Sequence, residues 1–166
     1  MNIRIKEISN LVRLWICWLH VIFLAQKNRS ELKKNRVTEK YGIGRKKDLQ
    51  VLVIDDEDRY RRSLRFRLTH TYGATVTDVG SGPEALQALE AGNIYDVIFL
   101  DISMPGMNGI ETYRALQSYR PDCFIVMMSA FVGGDLWREA ETLGLPLVSK
   151  PILESRMYEI LIRLER

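Results

Sequence analysis

From residue 49 onward the chain alternates between short unbroken apolar runs and longer stretches in which apolar residues recur at helical spacing. The runs are LQVLVI (49–54), YDVIFL (95–100), CFIVMM (123–128) and LPLV (145–148). Continuous runs of this length, rich in β-branched residues, predict strands buried on both faces, as in a parallel sheet. The segment ATVTDVG (74–80) alternates instead, with Val76 between Thr75 and Thr77, and predicts an edge strand. The intervening stretches read as helices. RYRRSLRFRLTH (59–70) brings Tyr60, Leu64 and Leu68 to one face, and GPEALQALEAGN (82–93) opens with Pro83 in its first turn and closes at Gly92. GIETYRALQSYR (109–120) stops before Pro121, GDLWREAETLG (134–144) stops at Gly144, and ILESRMYEILIRLER (152–166) aligns Met157, Ile160, Leu161 and Leu164. A strand followed by a helix, repeated along the chain, predicts an α/β fold with a doubly wound, five-stranded parallel sheet.

Residues 1–48 break this rhythm and form a separate N-terminal region ahead of a domain at 49–166. ISNLVRLWICWLHVIFLA (8–25) is strongly apolar, and on a helix Lys6, Asn10, Arg13, Cys17, His20 and Lys27 fall on one narrow polar stripe. Three readings stay open. The helix lies in a membrane interface with its basic stripe to water. It spans the bilayer as an anchor, against a cost of about 2.5–3.5 kcal/mol for a central arginine. Or it does not belong to the working protein, because no methionine stands between Met1 and Met104 and initiation at Val37 would leave only a short tail before the first strand. A cleaved leader is disfavoured by the lack of a small-residue cleavage site. Residues 26–48 read as a polar, basic linker. Its Gly42-Ile43-Gly44 follows no strand and opens no helix, so it carries no phosphate-loop reading.

Charge divides the chain at the same place. Residues 1–48 hold twelve basic and four acidic side chains, a net +8; the rest hold twelve basic and seventeen acidic, a net −5. The overall pI therefore says little about the domain. The two cysteines, Cys17 and Cys123, make neither a disulfide framework nor a metal-ligand spacing, and fit a reducing cytoplasm. One compositional detail bears on chemistry: from residue 49 on, eleven of the twelve basic residues are arginine, and the one lysine, Lys150, directly precedes Pro151.

The polar residues that follow the apolar runs supply that chemistry. Asp55 and Asp56 follow the first strand, Asp101 the third, Ser129 the fourth, and Ser149-Lys150-Pro151 the fifth. In open α/β sheets the ligand crevice lies beyond the carboxyl ends of the strands, at a topological switch point. With the strand order 2-1-3-4-5, these ends converge on one pocket of carboxylates, a hydroxyl and an ammonium. Two like charges 4 Å apart repel by about 4 kcal/mol at an effective dielectric near 20, so the pocket calls for a cation. One or two carboxylates with water completing the shell describe Mg²⁺. A carboxylate there can act as a nucleophile toward phosphorus, and an ammonium on a flexible stem suits a phosphoryl oxygen better than a guanidinium fork.

VLVIDDE, VIFLDISMPGMNGIE, IVMMSA and LVSKP, in this order and at these separations, resemble the receiver domain of two-component response regulators over residues 49–166. The resemblance implies a flavodoxin-like fold and a set of roles. Asp101 is the phosphoacceptor, Asp56 a direct Mg²⁺ ligand, and Asp55 a ligand directly or through water, with the Ser103 backbone carbonyl completing the protein ligands. Ser129 is the switch hydroxyl, Lys150 pairs with the acceptor and then the phosphoryl group, the Lys150–Pro151 bond is cis, and Gly109 opens the helix after the MPGMNG loop. Against these stand plainer roles: helix capping for Asp55 and Asp56, a surface cation at a helix end for His70, and packing for Met104, Met107, Met127 and Met128. One position departs from the pattern. Three residues before the lysine, where many receivers carry Tyr or Phe, stands Leu147, which puts the readout of phosphorylation in question and leaves the chemistry intact. Phe131, two residues beyond the switch serine, is expected to shield the acyl phosphate from water.

The expectation is therefore a phosphoacceptor signalling protein rather than an enzyme: a stand-alone receiver, since the chain stops at the last helix. It would be phosphorylated by a histidine kinase or a histidine phosphotransfer protein and signal to a downstream protein through the face formed by the fourth helix, fifth strand and fifth helix. Its expected place is the cytoplasm, peripheral to the inner membrane face if residues 8–25 associate with lipid. Rival readings are a C-terminal receiver fragment of a hybrid sensor kinase, a DNA-binding regulator using the basic tail, and a phosphorylation-silent scaffold. The tail would bind nucleic acid non-specifically and with steep salt dependence, but it holds no recognition motif, so no specific nucleic-acid partner is expected.

Overall fold

The computed structural model describes residues 49–119 and 123–165. The apolar segment at 8–25 and the basic linker at 26–48 lie outside the described residues. Among the described residues, five strands and five α-helices alternate: β1 (Gln50–Ile54), α1 (Asp58–Tyr72), β2 (Thr75–Val79), α2 (Gly82–Glu90), β3 (Val97–Asp101), α3 (Gly109–Leu116), β4 (Phe124–Ser129), α4 (Asp135–Thr142), β5 (Leu147–Ser149) and α5 (Glu154–Ile162). All strands are parallel, in the order β2-β1-β3-β4-β5, as the alternation of patterns predicts.

The unbroken apolar runs are explained by burial on both faces. Residues 51–54 and 97–100 are fully buried. Their side chains alternate between two cores. Val51, Val53, Val97, Phe99, Val126 and Met128 face Leu64 and Leu68 of α1 and Met157, Ile160 and Leu161 of α5. Leu52, Ile54, Ile98, Leu100, Ile125 and Met127 face Ala85 and Leu89 of α2, Ile110 and Leu116 of α3, and Ala140 of α4. Each fully buried side chain of this size contributes about 1.5–3 kcal/mol. The alternating segment becomes β2, an edge strand with Thr75 and Thr77 exposed.

Four of the boundary shifts have local reasons. β3 starts at Val97 because Asp96 uses its side chain as well as its backbone to close the sheet: Gln50 N donates to Asp96 Oδ2 at 2.8 Å, and Asp96 N donates to Gln50 O at 2.8 Å. α2 ends at Glu90, short of Gly92, because Gly92 takes a positive φ of 85° and its N–H turns back to Leu89 O. α3 ends at Leu116 rather than Arg120, its last turn tightened by Ser118 N to Ala115 O and Tyr119 N to Leu116 O. β5 begins at Leu147, since Pro146 has no N–H and joins the sheet only through its carbonyl, which accepts from Met127 N at 2.8 Å. Met104, Met127 and Met128 are buried in the core, whereas His70 is exposed in the last turn of α1, stacked on Phe66. Among the described residues, no helix is long and apolar enough to cross a membrane.

Candidate functional site

Strand register assembles the pocket. Leu100 of β3 lies opposite Ile54 of β1 and Met127 of β4, so the next residues, Asp55 and Asp101, stand side by side where the strand order reverses. Ser129 lies opposite Ser149, and Lys150, the next residue, is fixed there by its N–H donating to Ser129 O at 2.8 Å. The start of α3 frames the far side. Asn108 caps α3 through a reciprocal pair with Glu111, and Gly109 N donates to Ile102 O at 2.9 Å, tying that helix to the end of β3.

Asp55, Asp56 and Asp101 each place a carboxylate oxygen within 4.8 Å of the others. Asp55 and Asp101 are buried, and Asp56 is exposed at the mouth. Lys150 Nζ bridges the buried pair, 2.5 Å from Asp55 Oδ2 and 2.8 Å from Asp101 Oδ2. Burial pushes the Asp101 carboxyl above its ordinary pKa; Lys150 opposes this without cancelling it, and the neighbouring Asp55 adds to it. For Lys150, burial works against the ammonium, but its hydrogen bonds to Asp101 and Asp55 outweigh it and raise the pKa. Three acids with one ammonium leave a surplus of negative charge on oxygen donors alone, which fits a hard divalent cation such as Mg²⁺.

The geometry also refines the plainer alternatives. Neither Asp55 nor Asp56 is the N-cap of α1; that position is Glu57, which makes no side-chain cap bond, while Asp55 Oδ1 accepts from Glu57 N at 2.9 Å. Ser103 lies at the rim, its N–H directed to Asp101 Oδ1 at 3.3 Å. Ser129 Oγ is engaged locally, accepting from Phe131 N at 3.0 Å and donating to Phe131 O at 3.1 Å. The Phe131 ring is 74% exposed, so any shielding of the pocket requires it to fold inward from this position. The Lys150–Pro151 bond is cis. Two side chains at the site escaped the reading of the sequence. Arg61 Nη1 donates to Asp55 O at 2.6 Å, and the Tyr60 ring lies under Lys150 Nζ, 4.8 Å from its centroid. Both fall in the first turns of α1, where Tyr60 reads simply as a core-facing residue and Arg61 as one of many surface arginines.

The model of the response regulator receiver domain matches residues 51–162. The chain belongs to the response regulator receiver family. As a receiver it is a phosphoacceptor signalling module of two-component systems rather than a catalytic enzyme, and receivers are phosphorylated by histidine kinases. Its Asp55, Asp56 and Asp101 cluster is typical of the Mg²⁺-binding receiver pocket. An uncharacterized response regulatory protein of Yersinia pestis is 33% identical over 121 residues, 71% of this receiver chain and 49% of its own length. The Vibrio cholerae chemotaxis protein CheY4 superposes with a TM-score of 0.62 at 26% identity, over 71% of this chain and 99% of that one. The Thermotoga maritima response regulator TrrA, solved with Mg²⁺ and beryllofluoride, gives 0.61 at 27% identity, over 70% and 98%. The receiver spans about half or less of the length of the first curated relatives it matches.

Proposed function

We propose that this receiver takes a phosphoryl group on Asp101 from a histidine kinase or a histidine phosphotransfer protein, in a Mg²⁺-dependent reaction, and works as a stand-alone regulator. The observation that carries this reading is the placement of Lys150 Nζ between two buried carboxylates of a three-acid cluster at the switch point of the sheet. A carboxylate oxygen of Asp101 forms the new P–O bond as the donor's P–N bond breaks, and the departing imidazole nitrogen takes up a proton from solvent. Lys150 is drawn from the carboxylate toward a phosphoryl oxygen, since its compact charge on a flexible stem follows the position of the anion. Ser129 reaches the phosphoryl group by releasing its bonds to the Phe131 backbone. Asp55, Asp56, Asp101 and the Ser103 carbonyl are the residues that would hold Mg²⁺. When bound, the ion supplies positive charge against the crowded oxygens.

The stand-alone reading is supported by the chemotaxis protein, whose chain is matched almost from end to end. A second reading, a receiver fragment of a hybrid sensor kinase, is supported by the 30% identity to the sensory/regulatory protein RpfC of Xanthomonas campestris over 125 residues. On either reading the downstream protein contact is assigned to the face of α4, β5 and α5. A cavity of about 450 Å³ opens there between Val132, Trp137, Leu147, Leu153, Arg156 and Glu159. Leu147 lines it where many receivers would place a ring, so readout here would pass through the loop that holds Phe131 and Val132.

The test is incubation with Mg²⁺ and radiolabelled acetyl phosphate, wild type beside Asp101→Asn. A labelled wild type and a silent variant are expected; equal labelling refutes the assignment of the acceptor.

A further inference from the structure

We propose that Tyr60 is a positioning residue for phosphorylation: its ring face holds the Lys150 ammonium on target while the carboxylates around it are turned to a metal ion. This rests on the reading of Lys150 given above.

Lys150 ends a flexible four-carbon stem, and a side chain of that kind loses much rotamer freedom when it must act from one point. In this structure three groups fix its Nζ. Two are charged, Asp55 Oδ2 at 2.5 Å and Asp101 Oδ2 at 2.8 Å. The third is neutral, the Tyr60 ring with its centroid at 4.8 Å. That separation is within the roughly 6 Å over which a ring quadrupole attracts an ammonium. The charged pair is the same pair that lies within ligand distance of Asp56, so a divalent cation competes with Lys150 for both carboxylates. The ion also repels the ammonium. The attraction of the ring to Lys150 is not drawn off in this way, because an aromatic face offers no hard oxygen donor to the ion.

The ring is itself well held. Tyr60 sits in the first turn of α1, half-buried against the core that includes Leu64 and Ile152. Its hydroxyl lies beside the Ile152 backbone without a well-formed hydrogen bond. About two helical turns further along α1, Arg67 Nη1 donates to Ile152 O at 2.8 Å, which ties α1 to the segment that carries Lys150. Burial raises the pKa of the phenol, so Tyr60 stays uncharged through the ordinary pH range. The useful feature is thus the ring face and not the hydroxyl.

The experiment measures initial labelling of the full chain by radiolabelled acetyl phosphate at saturating Mg²⁺, together with Mg²⁺ affinity and thermal melting. The variants are Tyr60→Phe, Tyr60→Leu, Lys150→Ala and the double variant. Tyr60→Phe is expected within about twofold of wild type, since the ring face remains. Tyr60→Leu is expected to be about tenfold slower, the equivalent of about 1.4 kcal/mol, with Mg²⁺ affinity unchanged. In the Lys150→Ala background, Tyr60→Leu is expected to change nothing further, as coupling through one ammonium requires. If Tyr60→Leu does not melt cooperatively, Tyr60→Met takes its place as the ring-free variant. Wild-type labelling by the ring-free variant beside a slow Lys150→Ala overturns the role of Tyr60 alone. So do independent, multiplying effects of the two substitutions. Wild-type labelling by Lys150→Ala overturns the underlying reading of the lysine and the inference with it.

Discussion

Gly109 packs directly on the backbone of Asp101, the residue assigned as acceptor, and Gly109→Ala perturbs both the fold and that residue. A Cβ built on Gly109 would stand 2.2 Å from the Asp101 carbonyl oxygen, 2.6 Å from Ile102 Cα and 2.9 Å from Asp101 C, where ordinary contact begins at 3.4 Å. All three neighbours are backbone at the end of a central strand, so no side chain can swing aside. The start of α3 must instead retreat from β3 by about 1 Å, against the bond from Gly109 N to Ile102 O. Overpacking of this kind costs about 1–3 kcal/mol. Because the obstruction is backbone, the upper part of that range applies. Replacing glycine in a helix returns up to about 1 kcal/mol through the unfolded state. A net loss of about 2 kcal/mol remains, and for a domain of this size it lowers Tm by roughly 6–10 °C. Circular dichroism melts without Mg²⁺ measure it, with Gly134→Ser as the control. That glycine has nothing within 4 Å of its Cβ position and stands at the N-cap of α4, where serine is favoured, so its Tm should hold or rise. Labelling by acetyl phosphate should slow in Gly109→Ala, because the displaced atoms belong to the residue assigned as acceptor. A Tm within about 2 °C of wild type would refute the close-contact argument.

Three further outcomes follow from the same geometry. Gly82→Ala would bring a Cβ to 2.3 Å from Thr112 Oγ1 and 2.7 Å from Met107 Sδ; since side chains rather than backbone obstruct it, the loss in urea unfolding should be about 1–2 kcal/mol, below that of Gly109→Ala. Lys150→Arg should label at least about tenfold more slowly with a near-normal melt, because the wider guanidinium needs a bidentate partner where the ammonium meets two separate carboxylates; wild-type labelling would count against the point-charge role. The pH dependence of Mg²⁺ stabilisation follows from Asp101, whose folded pKa lies above the ordinary 3.8. Its protonated form is favoured by the metal-free fold, so its contribution to stability is fully present below 3.8 and is lost as pH rises through the folded value. Mg²⁺ would bind the ionised form, so the Tm increment on adding Mg²⁺ should shrink as pH is lowered toward that folded value; an increment that grows on acidification would contradict this.

The alternation of elements, the edge character of β2 and the identities of the polar residues at the strand ends are all legible in the order of residues. Each of these is a local property: period, run length and the residue that follows a run. The strand ends holding Asp55, Asp101, Ser129 and Lys150 could be read together because register in a parallel sheet carries them to one edge. What surrounds them is set by packing between elements. Tyr60 and Lys150 are ninety residues apart in sequence, and their contact exists because α1 packs on the same face as α5 and the segment before it. The closeness of Gly109 to the Asp101 backbone is likewise a distance between elements, whereas the engagement of Ser129 with Phe131 is a local turn that leaves the Phe131 ring exposed. Residue type and spacing record which groups a chain offers to a site. How near they come is fixed only when helices settle onto a sheet, because packing acts through space and not along the chain.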